Sequence, residues 1–172
     1  MKIIDLSATI YHNMEVYPGD PQVRINIVHT YQTHEWELRE LSMGTHTGTH
    51  VDAFSHMHVG GQTIDKIPLE KFCGKAWVAN PQEIFPKQCG LVFREEANID
   101  LLEKIIAAQP PFVAGVITAD LERELLRQEI ITYTDLVNLD LLPVDQSFLF
   151  YGFPLKIKDG DGSPVRVVAI LE

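Results

Sequence analysis

Apolar residues along this chain recur mostly in short runs of strand length, and few stretches carry the three-to-four spacing of an amphipathic helix. Ile3, Ile4 and Leu6, followed by Tyr11, predict a first strand, and Val23 to Val28 alternates weakly as a second. Between Thr33 and Met43, Trp36, Leu38 and Leu41 make a looser pattern that predicts a pairing strand. Ala76–Ala79, Leu91–Phe93, Phe112–Ile117 and Ile130–Tyr133 read as short buried strands. Phe148–Ile157 and Val165–Leu171 predict a closing hairpin around Lys158-Asp159-Gly160-Asp161-Gly162. Asn98 is placed to cap a helix over Ile99–Ala108, with Leu102, Ile105 and Ile106 on one face and Pro110-Pro111 ending it. A second helix, Asp120–Gln128, buries Leu121, Leu125 and Leu126, and Thr134 or Asn138 is placed to cap short helical turns. Tyr11, Trp36 and Tyr151 are expected in the core. Strands outnumber helices and helices come late, which predicts an α/β domain with a mixed, partly barrel-like sheet.

Composition narrows the partners. The 172 residues make one domain by length, large enough to bury about 70% of its unfolded surface. The net charge of −10, from 24 acidic against 14 basic residues, comes with no basic stripe, so nucleic acid and anionic membrane are poor partners. The opening Met-Lys-Ile-Ile-Asp-Leu lacks a signal peptide's apolar core, and no apolar run spans a bilayer, so a cytoplasmic location is expected. Cys73 and Cys89 form no C-x-x-C pair and read as core or half-buried thiols.

The chemistry concentrates in one place. Four of the seven histidines fall between His46 and His58, with Asp52 among them. Imidazole and carboxylate suit Zn²⁺, Mn²⁺ or Fe²⁺, and no thiol lies nearby to favour a softer metal. Thr47, Thr49 and Val51 are β-branched and Gly48 interrupts them, which disfavours a helix and puts His46, Gly48, His50 and Asp52 on one face of a strand. In a straight strand His46 and His50 would stand about 13 Å apart, too far to share one ion. The chain must bend between them, and Gly48 permits the bend.

The run His46-Thr47-Gly48-Thr49-His50-Val51-Asp52-Ala53-Phe54-Ser55-His56 resembles the H-x-G-T-H-x-D-x-P-x-H signature of the cyclase/kynurenine formamidase family of metal-dependent hydrolases, with Phe54 in place of Pro. Val16-Tyr17-Pro18-Gly19-Asp20 is similar to that family's V-W-P-G-D stretch. Gly60-Gly61-Gln62-Thr63-Ile64-Asp65 with Pro68-Leu69-Glu70 follows the motif as the family has it, and Phe153-Pro154-Leu155-Lys156 with Asp161-Gly162-Ser163-Pro164-Val165-Arg166 resembles its closing segment. The region from about Asn80 to Gln109 matches poorly. The resemblance implies a swivelling β/β/α fold, a homo-oligomer, His46, His50 and Asp52 as metal ligands, and His56 as general acid/base. It places Tyr17 where the family has a tryptophan lining the substrate pocket.

Three ligands leave positions open, as in a catalytic metal site, and a divalent ion that acidifies water and polarises a carbonyl suits hydrolysis of an amide or cyclic amide. The resembling family commonly holds a second ion through a distal His and Glu. Here those positions fall on Glu122 and Thr134, and Asp135 is one residue out of register. Glu122 is able to ligate and Thr134 is a poor ligand. The expectation is one tightly held ion per chain, Zn or Mn, with a weak second. Two alternatives stand beside a metal-dependent amidohydrolase acting on a small molecule. One is a non-haem iron oxygenase using His46, His50 and Asp52; the other is a metal- and ligand-binding member of the family without turnover. Asp159-Gly160-Asp161 hints at a calcium loop, but the position that needs a bidentate Glu is Ile170, so it reads as a turn.

Overall fold

A computed structural model describes residues 1–171. Its frame is one nine-stranded mixed sheet plus a separate two-stranded ribbon. In chain order the strands are β1 (Lys2–Asp5), β2 (Arg24–His29), β3 (Leu38–Ser42), β4 (His50–Asp52), β5 (Cys73–Val78), β6 (Gly90–Ala97), β7 (Phe112–Ile117), β8 (Ile131–Thr134), β9 (Phe148–Tyr151), β10 (Gly162–Pro164) and β11 (Val168–Leu171). The helices are α1 (Tyr31–His34), α2 (Leu102–Ala108) and α3 (Ala119–Arg127). The large sheet runs β1-β11-β9-β5-β6-β7-β8-β4-β10. Its centre, β5 to β8, is parallel, and the flanking pairs are antiparallel. Helices α2 and α3 are the crossovers that parallel neighbours β6-β7 and β7-β8 require.

The two-residue period of the central strands divides the interior. On β6 and β7, Leu91, Phe93 and Val113 face Ile105 and Ala108 of α2 and Leu121 and Leu125 of α3. Their alternates Val92, Phe112 and Ala114 face a second cluster with Phe72, Tyr133 and Phe150. Ile4 of β1 and Val51 of β4, from near opposite ends of the strand order, join that same cluster, so the sheet curls around it. Backbone N–H groups of Leu6 and Val137 donate to Val167 and Leu6 carbonyls and tie the curl together. The mixed, partly barrel-like sheet with few helices is as the sequence predicted.

Tyr133 is the largest fully buried side chain. Its hydroxyl lies 2.9 Å from the Gly152 carbonyl and 3.1 Å from that of Phe72, joining β8 to the segments on either side of β9 and β5. Tyr133→Phe keeps the ring but removes the hydroxyl donor of the Gly152 carbonyl, while the Phe72 carbonyl still accepts from the Gly152 N–H. The expected cost is about 1–2 kcal/mol in urea unfolding with metal content unchanged, since an unsatisfied buried acceptor bears its desolvation penalty.

Several expectations need correction. The Ile99–Ala108 helix begins as a 3₁₀ turn over Ile99–Leu101, although Asn98 caps it as expected by accepting from the Asp100 N–H. Asn138 precedes a 3₁₀ turn, but its side chain donates to the Asp5 carbonyl instead of capping. Tyr11 and Trp36 are 56% and 54% exposed and are not core. Trp36 misled because it belongs to the β2–α1–β3 ribbon, in which no residue from 24 to 42 is buried.

Candidate metal centre

The cluster grows from a bend followed by a short, enclosed strand. Gly48 adopts φ +60, a left-handed conformation that a side chain resists. The turn brings the rings of His46 and His50 to 5.1 Å between centroids. His46 therefore lies in the turn itself, and only His50–Asp52 forms strand. A single strand through His46 was the wrong local picture; the bend was the right one.

Strand β4 lies between β8 and β10, pairing His50 with Thr134 and Asp52 with both Thr132 and Gly162. The pleat sends Val51 into the core and puts His50 and Asp52 on the other face with those partners. Asp52 is 1% exposed. Its Oδ1 lies 2.7 Å from His46 Nδ1 and 3.6 Å from His50 Nε2.

A residue not singled out for the site in the sequence completes it. Asp161, in the turn entering β10, accepts from His46 Nε2–H at 2.9 Å and lies 3.6 Å from His56 Nδ1. Thr45 donates to its other carboxylate oxygen and the Ala53 N–H to its carbonyl, fixing it in place. Both ring nitrogens of His46 thus face carboxylates. Burial works against its protonation, but the hydrogen bonds to Asp52 and Asp161 outweigh it and raise the imidazole to about 9. Asp161 is drawn down to about 2, its burial overcome by the same His46 bond and that of Thr45. His56 goes the other way: burial and the charge on His46 lower it.

His50 is oriented as a ligand is. Its Nδ1–H donates to the Gly48 carbonyl at 2.6 Å, which leaves the Nε2 lone pair facing the Thr134 hydroxyl at 2.9 Å. The tightest group of donors is His46, Asp52 and His56, with one ligand atom from each mutually within 4.8 Å. His50 stands just outside it, and His56 stands inside it. Glu122, on α3, approaches Asp52 through Thr132, whose hydroxyl is 2.9 Å from Glu122 Oε1 and 3.2 Å from Asp52 Oδ2. Burial first, then the neighbouring Asp52 carboxylate, pushes Glu122 up to about 8. Asp135 is 68% exposed, its carboxylate 3.9 Å from His50 Nδ1. Tyr17 is 78% exposed in the Tyr17–Asp20 turn and does not form a packed wall. His58 bonds to the Arg123 carbonyl of α3 at 2.7 Å.

The donor set fits a borderline divalent cation: imidazoles, one buried carboxylate and one half-exposed carboxylate converge where protons now bridge them. Gly162 makes that convergence possible. A Cβ there would stand 2.5 Å from His46 Cε1 and 2.9 Å from the Val51 carbonyl. Gly162→Ala is therefore expected to push His46 off Asp52 and lower metal retention at least tenfold, roughly the loss that disturbing a ligand's support brings. Metal titration of the purified variant checks this.

Comparison with known proteins agrees with this frame. Kynurenine formamidase of Salinibacter ruber is 28% identical over 98% of this chain and 97% of its own. The enzyme of the same name from Paracidovorax citrulli is 24% identical over 95% and 94%. Isatin hydrolase A from Labrenzia aggregata superposes with a TM-score of 0.83 at 23% identity, covering 99% of this chain and 94% of that one. A solved protein described as a potential metal-dependent hydrolase with cyclase activity gives a TM-score of 0.75 at 22% identity, covering 98% and 96%. The Cyclase family profile, described as "Putative cyclase", matches residues 4–111, a span that holds the whole histidine motif, and the chain belongs to that family.

Proposed function

We propose that this protein is a metal-dependent hydrolase of a carbon–nitrogen bond in a small-molecule amide or cyclic amide. The observation that carries the reading is the convergence of His46, Asp52 and His56 within 4.8 Å, with His50 and Asp161 at their margin. Relatives named kynurenine formamidase and a structural neighbour named isatin hydrolase support the substrate class, since a formamide and the ring amide of isatin present the same bond.

His46, His50 and Asp52 are the residues that would hold the ion, Zn or Mn, with Asp161 orienting His46 through its bond to the ring. When bound, such an ion supplies Lewis acidity that polarises a carbonyl and acidifies water. His56 is the proton carrier. Burial holds its imidazole toward the neutral form, so it accepts a proton from attacking water and passes it to the departing nitrogen. Asp161, 3.6 Å from His56 Nδ1, favours the proton on that nitrogen and leaves the other for transfer. Glu122 and Thr132 back Asp52 from the α3 side. Tyr17, at an exposed turn, is the aromatic that would meet a bound substrate.

The test is hydrolysis of an aryl formamide and of a lactam panel by the purified protein, before and after chelation and with Zn²⁺ or Mn²⁺ restored. The expected result is chelator-sensitive amine release that returns with metal. Metal-loaded protein with no rate above background on either class would mean binding without turnover. Oxygen consumption with Fe²⁺ would mean an oxygenase built on His50-Val51-Asp52.

A further inference from the structure

The run Gly60-Gly61-Gln62-Thr63-Ile64-Asp65 follows the histidine motif closely, and the hydrolytic reading leaves it without a task. It begins just after the 3₁₀ turn Phe54–His56 and crosses to the turn that carries Asp161, holding both. On the His56 side the Gln62 carbonyl accepts from the Ser55 N–H at 3.3 Å. Gly61 lies so close that a Cβ there would stand 2.5 Å from the Phe54 carbonyl carbon and oxygen. On the Asp161 side the Ile64 N–H donates to the Gly160 carbonyl at 2.8 Å, and Asp65 Oδ1 accepts from the Asp159 N–H at 3.2 Å.

Asp65 points inward although it is charged. Its side chain is 6% exposed, Oδ1 also accepts from the Thr63 hydroxyl at 2.7 Å, and Oδ2 pairs with Lys66 at 2.8 Å. Asp159 needs an outside hold, because its φ of +57 is a left-handed conformation that an aspartate tolerates without favouring. Gly160 is buried against Ile64 and Ile157, with 3.0 Å to each from where a Cβ would be. Asp161 comes next, its carbonyl fixed by the Ala53 N–H at 2.9 Å. From that backbone its carboxylate meets His46 Nε2 at 2.9 Å and His56 Nδ1 at 3.6 Å. Yet the side chain itself is 47% exposed, so its placement depends on the backbone that delivers it. A carboxylate that drifts by about 1 Å loses a hydrogen bond of this length, and misplacements of that size lower rates by up to ~10²-fold.

We propose that residues 60–65 form a clamp that sets the separation between His56 and Asp161, with Asp65 as the positioning residue that acts on both imidazoles through the Asp159–Asp161 backbone. Its effect on turnover rests on the hydrolytic reading, whereas its effect on the His46–Asp161 bond does not. Asp65→Ala removes the grip, and Asp65→Asn keeps a carbonyl oxygen that still accepts from the Asp159 N–H.

Two readings test the clamp. In the metal-free full chain the His46 Nε2–H bonded to Asp161 should give a downfield proton resonance. Its exchange with water should quicken at least about tenfold in Asp65→Ala and stay within about threefold of the parent in Asp65→Asn. In the metal-loaded chain, kcat on an aryl formamide should fall at least about tenfold in Asp65→Ala with KM within about twofold, and Asp65→Asn should restore it. Lys66→Ala, which touches only the other carboxylate oxygen, should leave both readings as in the parent. A parent without turnover would fell the hydrolytic reading and leave the resonance to decide the clamp. Parental exchange of that resonance in Asp65→Ala overturns the proposal, and so does a parental kcat in an active Asp65→Ala. Equal losses in the Ala and Asn variants assign the effect to charge and overturn it as well. If Asp65→Ala does not fold, Gly160→Ala takes its place, since its Cβ must push the turn off Ile64. The same two losses are expected there, and parental values for both overturn the proposal.

Discussion

Asp52→Asn is expected to lose its metal on dialysis and to lower hydrolytic turnover by a factor on the order of 10³ or more, because ion-assisted acidification of water goes with the ion. Asp52 is the one fully buried carboxylate of the cluster, and the His46 hydrogen bond holds it ionised despite its burial. An amide at this position is nearly the same shape, so Val51 and the β4 pairings that seat it in the sheet are undisturbed. What changes is charge. The site loses its buried anion, and His46 keeps only Asp161 to offset its own. Elemental analysis of the dialysed variant, with its thermal midpoint measured alongside, checks the prediction. Metal held as tightly as in the parent would move the site away from Asp52.

His56→Ala carries the second large effect, and here sequence and geometry pull apart. The family resemblance makes His56 the proton carrier, whereas its ring nitrogen lies in the tightest donor group with His46 and Asp52. The rings of His46 and His56 are 3.9 Å apart. His56 follows β4 on a separate 3₁₀ turn, Phe54–His56, and its side chain is 29% exposed, open to an incoming molecule in a way His50, at 10%, is not. His50 also has the oriented Nδ1–H bond to a backbone carbonyl that ligating imidazoles have, and His56 Nδ1 has a carboxylate at 3.6 Å. The expected result is a fall in kcat by a factor of roughly 10² to 10⁴ with metal content unchanged, the loss that follows removal of a general acid/base. Loss of the ion in this variant would place His56 among the ligands and return His50 to an outer position.

Local signals in the sequence were legible where the physics is local. Leu121, Leu125 and Leu126 share one face of α3 because helical spacing puts them there, and they are buried. The bend at Gly48 was required by the reach of two imidazoles, and a positive φ is what the backbone adopts. Asp161 was not legible as part of the site. It sits 115 residues from His46, and the surrounding Asp159-Gly160-Asp161-Gly162 reads locally as an ordinary turn. The one available signal was its place in the closing segment that resembles the family, where an acid precedes the glycine that pairs with Asp52. Trp36 and Tyr11 failed for a different reason. Apolar side chains are assigned to the core by default, and a ribbon that leaves the body of its own chain defeats that default.

Glu122 sits between these cases. Its approach to Asp52 through Thr132 supports its candidacy as a ligand, yet Thr134, at the other distal position, offers a hydroxyl to His50 where a carboxylate would be wanted. A second ion would have Asp52, Glu122 and water, too few donors for tight binding. The measurement that tests the central claim most directly is therefore elemental analysis of the unaltered protein after exhaustive dialysis, paired with its hydrolytic rate. The account predicts one divalent ion per chain, with activity that disappears when a chelator removes it and returns on reloading. Full hydrolytic activity in protein stripped of metal would contradict it.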